Sequence, residues 1–536
     1  MVDVTRHNFE NILPQVESGL NECSYISLDC EFSYLPSDSF ERSFFDDGKE
    51  SYLKIRDNLH NTVILKIGLS LFTLNEDSRE YNANVYRFHL VPRPFGPIQT
   101  KLFFQSTNLH FLCCTKFDYN KCFYEGIPFL NEAQARLVKR MLTDRSLINT
   151  ISKSLDYKDL ANATAHQSEV LVWLTASPYN DTYEIHVETD NPSYRYFLHH
   201  EIRRRFKETW TFNAEDNRLI IVKRVTKEDR KIHELNIDDP ASSKNLIGSL
   251  LGFSKIFKLL MRSKKPLVGH DLFLDLLVMY NQFYQDLPLC YDSYKSSLNE
   301  FFPHIYDVKQ MVFDIQNLLN KVLVFDASLG NVYELLKDEH VVMYQPFVNL
   351  APGDYDKDEQ RLHDAGWNSY FTGVCFIKLG YYLINSQNRD SSLRFLTFKE
   401  CMNSLSFLEN KISLASAKIN CINLSGKDPP STRPPILHVC WKSGKKMSEI
   451  ATLFNEYSII HKKECSSNSM LIATSNYGCY KNILRDFKQN RDIKVERYSQ
   501  LWHLIGSKMA ICVGILLILP FGWTLWYTRQ SWFAKR

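Results

Sequence analysis

Three apolar-rich stretches near the start of the chain carry the pattern of strands. SYISLDCEFSY (24–34), NTVILKIGLSLFTL (61–74) and NVYRFHLVPRPF (84–95) each place apolar side chains on one or both faces of an extended segment. Helical spacing follows at 131–143, 244–262 and 271–284. Strands followed by helices predict an α/β fold with a mixed sheet covered by helices. A separate block at 153–238 holds LVWLTA, YEIHVET, the basic helix YRYFLHHEIRRRFKETW and RLIIVKRV, and reads as a small α+β insert. Its run Arg203, Arg204, Arg205 and Lys207 suits either a solvated helix face or contact with nucleic acid. The insert divides the main domain into 1–152 and 239–390, followed by a linker region at 391–435.

Within that linker INLSGKDPPSTRPP (422–435) is rich in Pro and Ser. Beyond it, 436–500 reads βαββαβ, the plan of an RNA-recognition-motif sheet. Its aromatic stacking signature is poor: SMLIAT carries no aromatic, and the first strand offers only His438 and Trp441. Residues 509–527, MAICVGILLILPFGWTLWY, are uncharged over 19 positions, about the length that crosses a hydrocarbon layer of ~30 Å. With nine residues after it, this predicts a single transmembrane helix acting as a tail anchor. The body would then face the cytosol from the endoplasmic reticulum membrane or, alternatively, the mitochondrial outer membrane.

Composition narrows the picture modestly. The 536 residues carry 64 Lys and Arg against 61 Asp and Glu, a net charge of +3 that excludes a broadly basic nucleic-acid coat. Any such binding must come from a local site. Thirteen cysteines form no C-x-x-C and no zinc-ligand spacing, which fits a reduced compartment.

The chemistry lies in three acidic or histidine-bearing segments. In LDCEF, strand alternation puts Asp29 and Glu31 on one face between apolar neighbours, where two carboxylates need a partner such as a divalent cation. PLVGHDLFLDLL passes from strand to helix and spaces Asp271 and Asp275 one turn apart. The macrodipole accounts for Asp271, whereas Asp275 sits among Leu274, Leu276 and Leu277. RLHDAGWNSYF sets His363 five residues before Asn368, with Asp364 one turn before that asparagine.

These segments, in this order, together with FDYNKCFYEGIPFLNEAQ (117–134), the stretch 246–276, FFPHIYDVKQMV (301–312) and HDAGWNSYFTGVCFI (363–377), resemble the poly(A)-specific ribonuclease family of DEDD exonucleases over roughly 20–385. The tail anchor adds a resemblance to its membrane-bound, PARN-like members. The resemblance implies an RNase H-like fold and 3′→5′ hydrolysis of single-stranded RNA ends, on piRNA precursors or poly(A) tails. It assigns Asp29, Glu31 and Asp275 to metal binding and His363 to general base, with Mg²⁺ or Mn²⁺, two ions, as cofactor. It places the insert where the family carries a single-strand-binding domain built around an Arg/His motif. A Tudor-domain adaptor follows from the same resemblance, and a homodimer is a further expectation. The fourth acid of the family is here Asn368, a degenerate position that removes one negative charge. An alternative expectation is therefore a catalytically weakened, RNA-binding scaffold of the nuclease fold.

Overall fold

A computed structural model describes residues 1–35, 43–187, 191–214, 219–235, 243–324, 326–338, 345–352, 362–387, 396–414, 416–442 and 444–498. The chain forms two units, one of residues 1–37, 52–415 and 421–429, the other of 38–51, 416–420 and 430 onward.

The first unit contains, in chain order, β1 (Val2–Val4), β2 (Tyr25–Phe32), β3 (Ile64–Asn75), β4 (Glu80–His89), β5 (Thr182–His186), β6 (Thr209–Asn213), β7 (Leu219–Arg224), β8 (Leu267–Gly269), β9 (Ile305–Asp307), β10 (Val348–Leu350), β11 (Lys411–Ser413) and β12 (Cys421–Asn423). The main sheet runs β1-β4-β3-β2-β8-β9, with β10 also on β4. β2, β3 and β4 pair antiparallel, whereas β8 and β9 join parallel to β2, as expected for a mixed sheet. β8 pairs only with Ile26 and Ser27.

The odd-numbered residues of β2 face the longest described helix, Ala365–Gln387. Tyr25 donates its hydroxyl to the Gly373 carbonyl at 3.0 Å, Ser27 donates to the Ser369 carbonyl, and Ser70 on β3 meets the Ser369 hydroxyl at 2.7 Å. Gly373 is required for this closeness, because a Cβ there would stand 2.2 Å from the Phe72 ring. Stepping from Tyr25 to Asp29 along the strand therefore leads toward the N-terminus of this helix.

Two expected elements differ in detail. The helical pattern at 244–262 breaks into Ser243–Leu251 and Ser254–Ser263 at Gly252, whose φ of +41° and contact with the Pro128 carbonyl allow no side chain. The stretch read as linker carries the helix Phe398–Leu405 and the β11–β12 hairpin, with a Thr397–Glu400 capping box at the helix start. In the insert the sheet β5-β7-β6 shares one hydrophobic core with Phe95, Ile98, Leu130 and Val138 of the surrounding unit. Its basic run is largely used internally. Arg204 pairs with Glu201 at 2.6 Å, Arg205 donates to Gln167 at 2.7 Å, and Arg203 lies 3.9 Å from the Trp210 ring centre.

The second unit has β13 (Leu437–Trp441), β14 (Ile459–Ser466), β15 (Ser469–Thr474) and β16 (Ile493–Arg497), with helices Met447–Thr452 and Tyr477–Asp486 in βαββαβ order. The sheet runs β14-β15-β13-β16. Trp441 is buried in its core, and β15 is buried along its whole length. Within this unit Phe44 and Phe45 lie against His461, and Lys463 sits over Phe45. The chain's own aromatics thus occupy part of the β14 surface.

The tail-anchored endoplasmic reticulum localisation, and its mitochondrial alternative, require correction. Among the described residues no helix is long and apolar enough to cross a membrane. The 23-residue helix Ala365–Gln387 has the length, but it buries its apolar side chains against the sheet and carries Asn368, Lys378 and Asn385. The segment 509–527, on which the anchor rested, lies outside the described residues.

β1 is docked by charge. Asp3 meets Arg87 at 2.8 Å, Lys121 at 2.9 Å and His89 at 3.1 Å. Burial pushes the Asp3 carboxyl up, but the bond to His89 and the charges of Arg87 and Lys121 outweigh it and hold the group well below the usual carboxylate range. A depressed folded value contributes stability above the unfolded pKa of about 4 that is lost as pH falls below it. An Asp3→Asn variant should therefore melt lower than the native chain at pH 7, and the gap should close on acidification below about pH 4. A gap that does not change with pH would contradict this reading.

Candidate active site

Asp29 and Glu31 stand on β2 at the end where its odd-numbered face runs out from under the covering helix. Across β3 they are opposite Gly68 and Lys66 respectively. Glu31 is buried and Asp29 partly so. Gly68 decides how close the helix comes: a Cβ there would lie 1.8 Å from the Ala365 carbonyl oxygen. Its absence lets the first turn of Ala365–Gln387 descend onto the strand, so that Asn368 Nδ2 donates to Asp29 Oδ2 at 3.2 Å. The helix N-terminus, with its partial positive charge, is thereby directed at the acidic end of β2.

Asp275 arrives from the other side. β8 ends at Gly269, and the chain turns into the short helix Phe273–Met279 beyond the two residues of β2 that β8 pairs. Asp275 is buried, bonds the Cys30 thiol and feels the charge of Asp29. The turn is held by Asp307 at the end of β9. This fully buried carboxylate accepts backbone N–H bonds from Asp271 at 3.0 Å, Leu272 at 3.2 Å, Lys309 at 3.0 Å, Gln310 at 3.4 Å and Ser413 at 3.0 Å. One side chain thus ties the start of the Asp275 helix to β9 and β11.

Asp271 does not share a helix face with Asp275 as its spacing suggests. It sits in the turn at φ +61° and pairs with Lys309 at 2.8 Å. His363 likewise precedes the helix, at φ +66°. Its backbone N–H donates to Asn368 Oδ1 at 3.1 Å, and its exposed ring lies edge-on to Phe111 with centres 5.1 Å apart. Among the described residues that ring makes no hydrogen bond.

Electrostatics separates these acids into two groups. Burial pushes the carboxyls of Asp29, Glu31 and Asp275 up; Asp29 repels both of the others, and Asp364 repels Asp29 and Glu31. The Asn368 amide partly offsets this at Asp29, and Lys66 does so at Glu31. Asp364 behaves oppositely. Burial raises it, but Lys66 at 3.1 Å and Arg87 at 3.8 Å outweigh burial and hold it low. Its Oδ1 also caps the helix, accepting from Gly366 at 3.1 Å and Trp367 at 3.3 Å.

The donor set fits a hard divalent cation: three carboxylates, raised by burial and further by repulsion, that a cation would satisfy together. Among the described residues, no group of three or more His, Cys, Asp or Glu is already arranged around a metal position. Lys66, Gly68 and Asp307 were not singled out from sequence. Each left a trace: a lone lysine and a glycine inside an apolar strand, and an aspartate capping VKQMV.

A family model described as "CAF1 family ribonuclease" matches residues 4–376. Pre-piRNA 3′-exonuclease trimmer of Bombyx mori is 32% identical over 527 residues, covering 96% of this chain and 97% of its own. Poly(A)-specific ribonuclease PNLDC1 of Mus musculus is 28% identical, covering 94% of each. Among solved structures, the Mg²⁺- and Mn²⁺-bound form of S. pombe Pop2p is similar over 74% of this chain and 99% of its own, at 12% identity and a TM-score of 0.35.

Two packing predictions follow from this geometry. Gly68→Ala must push the helix N-terminus away from Asp29, and a shift near 1 Å should cost about 10²-fold in RNA 3′-end trimming; a rate within twofold of native would refute the role given to Gly68. Asp307→Asn leaves two or three of its five N–H groups without an acceptor oxygen and should lower unfolding free energy by about 2–5 kcal/mol in denaturant titration. A loss below about 0.5 kcal/mol would refute the tie.

Proposed function

Because the chain belongs to the CAF1 family of ribonucleases, with their RNase H-like mixed α/β fold, and is a 3′→5′ exoribonuclease, we propose that it trims single-stranded RNA 3′ ends by metal-dependent hydrolysis at Asp29, Glu31 and Asp275. The observation that carries this reading is the meeting of these three buried or half-buried acids where β2, the Asp275 helix and the Ala365–Gln387 N-terminus come together.

Asp29, Glu31 and Asp275 would hold Mg²⁺ or Mn²⁺. When bound, such a cation polarises the scissile phosphate and lowers the pKa of the attacking water. Lys66 offsets part of the cost of charge on Glu31, and a bound cation would offset more of it. A ring nitrogen of His363 takes the water's proton, and the exposed position of the ring lets it turn to the substrate. Likeness over nearly the full length to a pre-piRNA 3′-exonuclease supports piRNA precursors as the substrate, ahead of poly(A) tails.

The test is trimming of a 5′-labelled single-stranded RNA by the full chain. A ladder shortening from the 3′ end should require Mg²⁺ or Mn²⁺, vanish with EDTA, and slow by about 10²-fold or more in Glu31→Gln. Mixed-sequence RNA should be trimmed at least as fast as oligo(A). Equal trimming by Glu31→Gln would refute the metal role, and strict preference for oligo(A) would refute the substrate.

A further inference from the structure

The proposed ligands leave open how many cations the site takes. The three side chains that could complete a second cation position, Asn368, Asp364 and Asp271, are each committed elsewhere. Asn368 is locked by its two hydrogen bonds. Its Oδ1 must be the acceptor of the His363 N–H at 3.1 Å, since an amide nitrogen cannot accept there. Its Nδ2 is therefore the atom facing Asp29 Oδ2 at 3.2 Å. The carboxamide presents protons, not lone pairs, to the acidic site.

Asp364, the nearest acid on the same turn, has no free carboxylate either. Oδ1 accepts from the N–H groups of Gly366 and Trp367, and Oδ2 takes Lys66 at 3.1 Å. Arg87 adds a second positive charge at 3.8 Å. Pulling Asp364 onto a metal would uncap the helix and leave the buried Lys66 without its ion-pair partner. On the opposite side, Asp271 is held by Lys309 at 2.8 Å.

We infer that this chain holds one divalent cation tightly, on Asp29, Glu31 and Asp275, and that the Asn368 amide occupies the side of Asp29 where a second cation would bind. Resting on the reading above, this makes Asn368 a positioning residue. It orients Asp29 through a hydrogen bond, in place of a ligand that would bring its own charge. The donor set then has three negative charges, which matches one divalent ion better than two.

Mn²⁺ titration of the full-length protein tests this without any turnover, by calorimetry and by electron paramagnetic resonance. The native chain should take up one Mn²⁺ per chain with the six-line spectrum of an isolated ion. Asn368→Asp should take up two, with the spectrum of a coupled pair. Glu31→Gln should lose the tight site. Two tight, coupled ions in the native chain would overturn the inference while leaving the proposed function standing. A single ion in Asn368→Asp would overturn the role given to Asn368. No Mn²⁺ uptake by the native chain would overturn both the inference and the metal-dependent function on which it rests.

Discussion

Keeping three carboxylates inside one end of a sheet is the constraint around which the first unit is organised. Asp29, Glu31 and Asp275 repel one another out of water, and isolated buried charges cost several kcal/mol each. The fold meets this cost with positive groups of graded strength. Lys66 sits across from Glu31, a helix N-terminus is aimed at Asp29, and the Asn368 amide touches Asp29 directly. What these leave uncompensated would favour a divalent cation. Stability and function are in tension here, and the arrangement persists because the surrounding packing allows little else.

That packing is determined by a few small or capping residues. Gly68 and Gly373 let one long helix lie flat on β2 and β3, so its first turn reaches the acids. Asp307 gathers five N–H groups and fixes the turn from which the Asp275 helix starts. Each of the three helps set where a carboxylate stands. The apolar residues around them supply the bulk of the burial; these three supply the register.

Much of this was legible in the sequence, and unevenly so. Alternation in LDCEF placed Asp29 and Glu31 on a common face, and the V-G-H turn placed Asp275 on a helix; both arrangements are observed. Spacing misled at Asp271, which lies at positive φ just outside the helix its spacing suggested. Local pattern does not reveal where a helix starts when the first residue is turned left-handed. The partnership of Asp364 with Lys66 and Arg87 was hidden for another reason: it joins positions nearly three hundred residues apart, and no periodicity reports it. Asn368 looked like a missing acid from sequence alone, whereas its two hydrogen bonds make it a built component of the site.

Crystals of the protein soaked in Mn²⁺ and measured at the manganese absorption edge test whether these three carboxylates form the metal-binding centre of an RNA 3′-exonuclease. An anomalous peak is expected in coordination distance of Asp29, Glu31 and Asp275 together, about 2–2.5 Å from their oxygens. A peak elsewhere, or none at these three residues while the protein trims RNA in the same Mn²⁺, would rule out this centre.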